Sequence, residues 1–305
     1  PATQSNHITS WSRRSAGTAV PRLIRLLISM ALVIGVMSQF GDAVLARLGG
    51  LDLRWLLIAL LLTVFQIALS AWRWRYTAHR LGLTLARGSA LSEYYLATLV
   101  NQVLPGGVVG DAQRAWRHGS QISQRRPAFQ AVVIERLSGQ IAMAALAVCA
   151  WLFAPWPTPL HGSGALIGAS LLVAAVLAGA GFALQRYASS WWHALRQAFL
   201  HPHALAVQLL ASLLVALSIV GVYACCLLAT TPSGSPWLWF ALIPVVLFSM
   251  LIPVSIAGWG LREGTAALLW PLAGLPAAEG IAAAIVYGSL SLIASLPGVI
   301  AVMRR

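Results

Sequence analysis

Residues 98–117 read TLVNQVLPGGVVGDAQRAWR, and they interrupt an otherwise apolar part of the chain. A proline and three glycines lie close together here, namely Pro105, Gly106, Gly107 and Gly110. Because proline removes a backbone donor and glycine weakens helices, the stretch predicts a break in a helix. After the break we expect Asp111 to cap a half-helix that begins near Ala112 and carries Arg114 in its first turn. The free amides of such a helix start favour an anion.

A second stretch of the same kind, MLIPVSIAGWGLREG, occupies residues 250–264. The two stretches share the order and spacing of a proline, a glycine and an arginine: Pro105, Gly110 and Arg114 in the first, and Pro253, Gly258 and Arg262 in the second. Gly260 adds another glycine to the later stretch. Two interrupted apolar segments at corresponding places predict a pseudo-repeat, with halves at about 21–154 and about 164–303.

The composition places the chain in a membrane. Hydrophobic residues make up 59% of the sequence and charged residues 9%, and the mean hydropathy is +0.80. Several apolar runs reach the length of roughly 20 residues that a spanning helix needs. We therefore predict an all-α polytopic membrane protein of about 7–9 helices, in which the two broken segments are re-entrant.

The charge distribution predicts the orientation. The net charge of +13 comes from arginine alone, because the chain has 20 arginines and no lysine. Most arginines flank apolar segments, which indicates a cytoplasmic membrane face rather than nucleic-acid binding. We expect both termini to be cytoplasmic, with residues 1–20 as a disordered or interfacial tail and residues 21–303 as one transmembrane domain.

Apolar runs and their flanks predict the individual segments. We expect spans at 23–40, 55–72, 131–153, 165–184, 205–229, 237–256 and 281–303, a re-entrant segment at 89–104, and an amphipathic helix on the cytoplasmic face at 185–204. At the end of the second span, Trp72, Arg73 and Trp74 read as interfacial anchors at headgroup level.

The polar residues near the breaks predict a binding site. Three arginines there have planar guanidinium groups suited to phosphate: Arg114, Arg136 and Arg262. Asn101 and Ser255 can hydrogen-bond a headgroup or the broken backbone. Asp111, Glu135 and Glu263 would be the charge partners when the site is empty. Glu135 and Arg136 point about 100° apart on a helix, so each needs a partner other than its neighbour. A purely structural role, in which these charges join the two halves as ion pairs, stays open.

Catalysis has little support in the sequence. The seven acidic residues are spread singly, and no nucleophile, metal-ligand or phosphate-loop spacing occurs, so we expect no cofactor and no metal. A membrane-embedded lipid-phosphate transferase, with Asp111 or Glu135 as base and Arg114 on the phosphate, is the alternative.

Four segments together resemble a known family: NQVLPGGVVGDAQRAW at 101–116, ERLSG at 135–139, LIPVSIAGWGLREG at 251–264 and VYGSLSLIASLPG at 286–298. In these segments the sequence resembles the transmembrane, flippase-like region of the bacterial lysylphosphatidylglycerol synthases. The resemblance implies an all-helical fold in the bacterial inner membrane and the moving or presenting of a lipid headgroup. Carried over position by position, it highlights Asn101, Pro105, Gly110, Asp111, Arg114, Glu135, Arg136, Gly258, Arg262 and Glu263.

The resemblance leaves the lipid and the partners open. An anionic phospholipid, an aminoacylated lipid and a polyprenyl-phosphate lipid all fit, and so does an accessory role beside a membrane glycosyltransferase. Because the sequence ends at Arg305, we expect it to lack the soluble aminoacyl-transfer domain and lysyl-lipid synthesis. Without an ATP-binding motif, we expect transport to be passive or ion-coupled.

Overall fold

The computed structural model describes residues 9–104, 107–153, 189–199, 202–250 and 255–303. The regular secondary structure of these residues is helical, as the sequence predicts. The helices are α1 (Thr9–Leu48), α2 (Leu53–Arg80), α3 (Arg87–Val103), α4 (Val109–Gln121), α5 (Arg125–Phe153), α6 (Ser189–Phe199), α7 (Pro202–Ala229), α8 (Pro236–Ser249), α9 (Leu261–Leu272), α10 (Ala277–Ser295) and α11 (Pro297–Met303).

Within the described ranges, five helical stretches are long and apolar enough to cross a membrane: Met30–Leu48, Leu53–Arg80, Arg125–Phe153, His203–Ala229 and Ala277–Ala301. The prediction of an all-α polytopic membrane protein is therefore confirmed. The predicted span 237–256 is wrong, because α8 ends at Ser249 and its 14 residues are too short to cross.

The N-terminal helix extends beyond the predicted end of its span. Among the described side chains, the stretch of α1 that could span ends at Leu48, whereas the predicted span 23–40 ends at Phe40. The helix itself begins at Thr9, so the predicted tail 1–20 is helical from that residue on. The predicted span 165–184 lies outside the described residues.

Both predicted breaks separate two helices. α3 ends at Val103 and α4 begins at Val109, whereas α8 ends at Ser249 and α9 begins at Leu261. Left-handed backbone in the breaks occurs at Gly107 (φ 63°), Ala257 (φ 49°), Gly258 (φ 79°) and Gly260 (φ 84°). Glycine adopts this conformation without steric cost, which explains three of the four positions. The other predicted helix-breaking residues, Pro105, Gly106 and Pro253, lie outside the described residues.

The order of helix lengths repeats along the chain. The helices α2 to α5 have 28, 17, 13 and 29 residues. The helices α7 to α10 have 28, 14, 12 and 19 residues. In each series two short helices flank a break and two longer helices enclose them.

The two series pack against each other along several helices. α2 packs along α7, α5 packs on both α7 and α8, and α10 contacts α2 and α3. The short α11 lies across α3 so closely that a Cβ at Gly298 would come within 2.6 Å of the Tyr95 carbonyl oxygen. This interleaving brings the polar residues of the first series next to the break of the second.

Candidate functional site

Glu135 of α5 is the centre of a buried ion cluster. Its side chain has no exposed surface, and both of its oxygens accept short hydrogen bonds. Arg73 Nη2 donates to Oε1 at 2.6 Å and Arg114 Nη2 donates to Oε2 at 2.6 Å. The Tyr94 hydroxyl also donates to Oε1, at 3.3 Å. One carboxylate thus joins α2, α3 and α4 to α5.

Arg114 lies in this cluster between two carboxylates and two aromatic rings. Its guanidinium lies 4.6 Å from the Trp74 ring centroid and 4.5 Å from that of Tyr94, so two aromatic faces enclose it. Its Nε donates to Asp111 Oδ1 at 3.0 Å, and its side chain is 1% exposed. Arg114 therefore stabilises the start of α4. Its Nη1 has no hydrogen-bond partner among the described residues, but Arg114 does not line the cavity described below.

Asp111 connects Arg114 to the third arginine of the cluster, Arg136, which binds the other carboxylate oxygen. Asn101 Nδ2 donates to that same oxygen at 2.9 Å, and the backbone amide of Gly110 donates to Asn101 Oδ1 at 2.8 Å. Glu135 and Arg136 thus have separate partners, as their adjacency on the helix predicts. Arg136 keeps 40% of its side-chain surface exposed, whereas Asp111 keeps 8%.

Asp111 is not the helix cap that we predicted. α4 begins at Val109, two residues before Asp111, and its first cap position is Val108, which makes no side-chain cap bond. Asn101 of α3 instead satisfies the Gly110 amide across the break. A cap supplied by the preceding helix has no local sequence signal, which explains the error.

Arg73 and Trp74 are not interfacial anchors. Arg73 is 3% exposed and also donates through Nη1 to Ser212 Oγ of α7 at 3.1 Å. Trp74 has no exposed surface and packs on Arg114. Trp72, between α2 positions that face inward, stays 42% exposed, consistent with its predicted place.

A cavity of about 290 Å³ opens beside the ion cluster, between the two helical series. Polar side chains on α2, α3 and α5 line one part of it, including Gln66, Ser70, Asn101, Arg136 and Gln140. Apolar side chains of α7 and α8 line the other part, including Val215, Ile219, Leu247 and Phe248. The wall is therefore amphipathic, and three of its helices, α2, α5 and α7, are long enough to cross a membrane.

Both breaks contribute to the wall of this cavity. Gly107 lines it from the first break, and Met250 and Ala257 line it from the second. Irregular backbone at membrane depth is tolerated where it borders protein or a polar cavity. The described parts of the two breaks thus meet at one place.

The second cluster is a self-contained pair after the second break. Arg262 donates to Glu263 Oε1 through Nη2 at 2.7 Å, and the Gly260 amide donates to Glu263 Oε2 at 2.6 Å. The Arg262 guanidinium lies 5.1 Å from the Trp259 ring centroid and 5.4 Å from that of Tyr287. Arg262 is 1% exposed. The pair stabilises the start of α9 and carries no net charge.

Of the predicted headgroup-binding residues, only Arg136 and Asn101 line the cavity. Arg114 and Arg262 are buried in ion pairs, and neither lines the cavity. Ser255 is buried at 3% exposure, and its hydroxyl has no hydrogen-bond partner among the described residues. The structure thus places one of the three predicted arginines where a ligand can reach it.

The sequence interpretation missed the polar face of α2. Thr63, Gln66, Ser70 and Arg73 are spaced three or four residues apart, and all four line the cavity. This spacing puts them on one side of a helix. Polar residues that recur every three or four positions within an apolar span could therefore have predicted a buried polar face on α2.

The comparison with protein families decides the classification. A family model described as "Lysylphosphatidylglycerol synthase TM region" matches residues 22–298. The chain belongs to this family. The matched range includes all four segments that carry the resemblance in the sequence. Among curated proteins, none matches the chain. As a member of the lysylphosphatidylglycerol synthase TM family, the chain is a membrane protein of a type related to lipid handling.

Proposed function

We propose that this member of the lysylphosphatidylglycerol synthase TM family binds a lipid by its anionic headgroup and moves it between the two leaflets. The observation that carries the proposal is the amphipathic cavity, in which Arg136 is a partly exposed cation beside helices long enough to cross a membrane. Ionisable residues inside a membrane mark binding sites and substrate pathways. The bacterial inner membrane and cytoplasmic termini are part of the proposal.

The size and polarity of the cavity support a headgroup as the occupant. A volume of about 290 Å³ is at the lower end of small-molecule sites, so a headgroup fits but a whole lipid does not. The acyl chains would remain in the bilayer. The polar residues of α2 and α5 would replace the water that a headgroup loses, while the apolar residues of α7 and α8 keep that water out.

The bonding of the two carboxylates favours binding over transferase chemistry. A general base needs free access to the proton that it removes. Both oxygens of Glu135 accept from arginines, and both oxygens of Asp111 accept from arginine or asparagine side chains. These acids serve to hold the arginines in place.

A cavity-filling variant tests the proposal. Ile219 lines the cavity from α7, whereas Leu217, two residues earlier, is 42% exposed on the outside of the same helix. In proteoliposomes with a phospholipid that carries a fluorophore on one acyl chain, we expect Ile219→Trp to lower lipid exchange between leaflets to the rate of protein-free vesicles. We expect Leu217→Trp to keep the wild-type rate.

A second filling variant on the facing wall, Gln140→Trp, guards against a folding defect in the first. Thermal unfolding in detergent identifies the folded variants. Wild-type exchange by either folded cavity variant would overturn the proposal, as would a wild-type protein that exchanges no lipid. An accessory scaffold for a glycosyltransferase would give this second result.

A further inference from the structure

The ion cluster around Glu135 carries one more positive than negative charge. Its cations are Arg73, Arg114 and Arg136, and its anions are Asp111 and Glu135. All of these side chains except that of Arg136 are at most 8% exposed. Water therefore screens the surplus charge poorly, and such a charge is costly to bury unless a counterion accompanies it.

The other five acidic residues of the chain are committed elsewhere. Two of them lie at the end that joins α1 to α2, where Asp42 is exposed and Asp52 accepts from the backbone amide of Arg54. The remaining three pair with other arginines: Glu93 with Arg117, Glu263 with Arg262 and Glu279 with Arg47. The counterion of the ion cluster therefore has to come from outside the chain.

Two orphaned donors on one face of α2 indicate where the counterion binds. Ser70 and Arg73 lie three residues apart, line the cavity and are at most 3% exposed. Ser70 Oγ and Arg73 Nε have no hydrogen-bond partner among the described residues. The Nε atom can only donate, and the hydroxyl can donate as well. Buried donors without a partner beside a cavity indicate an occupant that accepts hydrogen bonds.

We propose that Ser70 and Arg73 hold a single chloride ion, which neutralises the surplus charge of the ion cluster. Water also accepts from such donors, but it would leave the charge unbalanced. A divalent anion such as sulfate would turn one surplus positive charge into one surplus negative charge. The apolar side chains of Ile67 and Ala216 line the same cavity and are at most 2% exposed, and a monovalent anion costs less to bring beside them than a divalent one.

The chloride site goes beyond the proposed function, because chloride binds in the absence of lipid. A headgroup anion that enters the cavity displaces the chloride, since the ion cluster offers one surplus positive charge to both. The chloride thus keeps the cluster neutral as long as the cavity holds no headgroup.

Thermal unfolding of the detergent-purified protein tests the chloride site. Sodium gluconate is replaced stepwise by sodium chloride at constant ionic strength, so that only the anion changes. We expect the unfolding temperature to rise and then level off, by about 3 °C when chloride reaches about tenfold its dissociation constant. Sodium sulfate at the same ionic strength should give no such rise.

Two variants assign the rise to the ion cluster. Ser70→Ala removes one donor and Arg136→Gln removes the surplus charge, so each should weaken chloride binding at least about tenfold. Ser218→Ala is the control for the serine, because Ser218 is also buried but donates to the Val215 carbonyl at 2.7 Å. Arg54→Gln is the control for the charge, since Arg54 is exposed at the start of α2. Both controls should keep the wild-type rise.

A crystal grown in sodium bromide locates the site independently of any variant. Bromide replaces chloride and scatters X-rays anomalously, and we expect one anomalous peak within hydrogen-bond distance of Ser70 Oγ and Arg73 Nε. Equal unfolding temperatures of wild type in chloride and gluconate would overturn the proposal. So would a wild-type rise in folded Ser70→Ala or Arg136→Gln, or a bromide peak that lies only elsewhere. The lipid-exchange assay of the cavity-filling variants is decided separately, so the proposed function can stand when the chloride site fails.

Discussion

Glu135 shows how one buried carboxylate organises this membrane protein. It has no exposed surface, and its charge is balanced by Arg73 and Arg114 from two different helices. Removing one partner of such a group leaves buried charges without compensation, which costs more than the pair contributes to stability. The free energy of unfolding should therefore depend strongly on this single side chain.

We predict that Glu135→Gln lowers the free energy of unfolding by about 3–5 kcal/mol, because both arginines lose their carboxylate. The measurement is thermal unfolding in detergent. Asp42→Asn is the matched control, since it removes the same charge from an exposed side chain and should leave the unfolding temperature unchanged. Equal unfolding temperatures for the two variants would contradict the central role of Glu135.

At the residue scale, local sequence predicts some roles and hides others. The adjacency of Glu135 and Arg136 is enough to predict separate partners, because helix geometry alone forbids their pairing. Arg73 is harder, because arginine beside tryptophan at the end of a span is also typical of interfacial anchors. Its partner Glu135 is 62 residues away, so no local pattern reveals the pair.

Between elements, the contact of α3 with α4 across the first break is the tightest approach near the site. A Cβ at Gly110 would lie 2.1 Å from the Ala97 carbonyl oxygen, so only glycine permits this distance. The approach positions Asn101 to bind both the Gly110 amide and Asp111. The packing of α3 on α4 and the geometry of the ion cluster thus depend on glycine at position 110.

We predict that Gly110→Ala lowers the free energy of unfolding by about 1–3 kcal/mol, because the added methyl forces two backbones apart. In α9, Gly264→Ala should be neutral or stabilising, since a Cβ there meets nothing within 4 Å and alanine favours the helix. Chemical or thermal unfolding of both variants in detergent measures the difference. A Gly110→Ala protein as stable as Gly264→Ala would refute the close approach.

At the element scale, composition predicts that a helix breaks but does not fix where its neighbours begin and end. Proline and glycine place both breaks correctly. α4 begins earlier than predicted because the backbone amide of Gly110, in its first turn, donates its hydrogen bond to Asn101 on another helix. α8 stops at Ser249 although the sequence stays apolar beyond it, and left-handed backbone at Ala257 and Gly258 precedes the start of α9.

Across the whole molecule, two polar networks join distant parts of the chain. The ion cluster joins α2, α4 and α5 beside the cavity. A second network joins the end of α1 to α10, where Arg47 Nη2 donates to Glu279 at 2.8 Å and Nη1 donates to the Thr230 carbonyl at 3.2 Å. Ser233 Oγ donates to the same glutamate at 2.7 Å. Both networks join helices that are far apart in the sequence.

At this scale, hydropathy predicts the membrane class, because that class depends on local composition. The cavity could not be predicted, because its wall combines α2 and α5 with α7 and α8. Such a wall is set by packing between the two series. Of the three arginines predicted to bind a headgroup, Arg114 and Arg262 are buried after the two breaks, and only Arg136 of α5 reaches the cavity.

The central claim is that a lipid headgroup enters the cavity beside Arg136. The most direct test is photo-crosslinking in membranes with two phospholipids, one with a photoactivatable group in its headgroup and the other with the group in an acyl chain. Mass spectrometry then locates the labelled residues. We predict headgroup labelling at Ser70 and Gln140, and acyl-chain labelling at the exposed Leu61 and Leu217. Headgroup labels confined to exposed positions, with none in the cavity, would contradict the account.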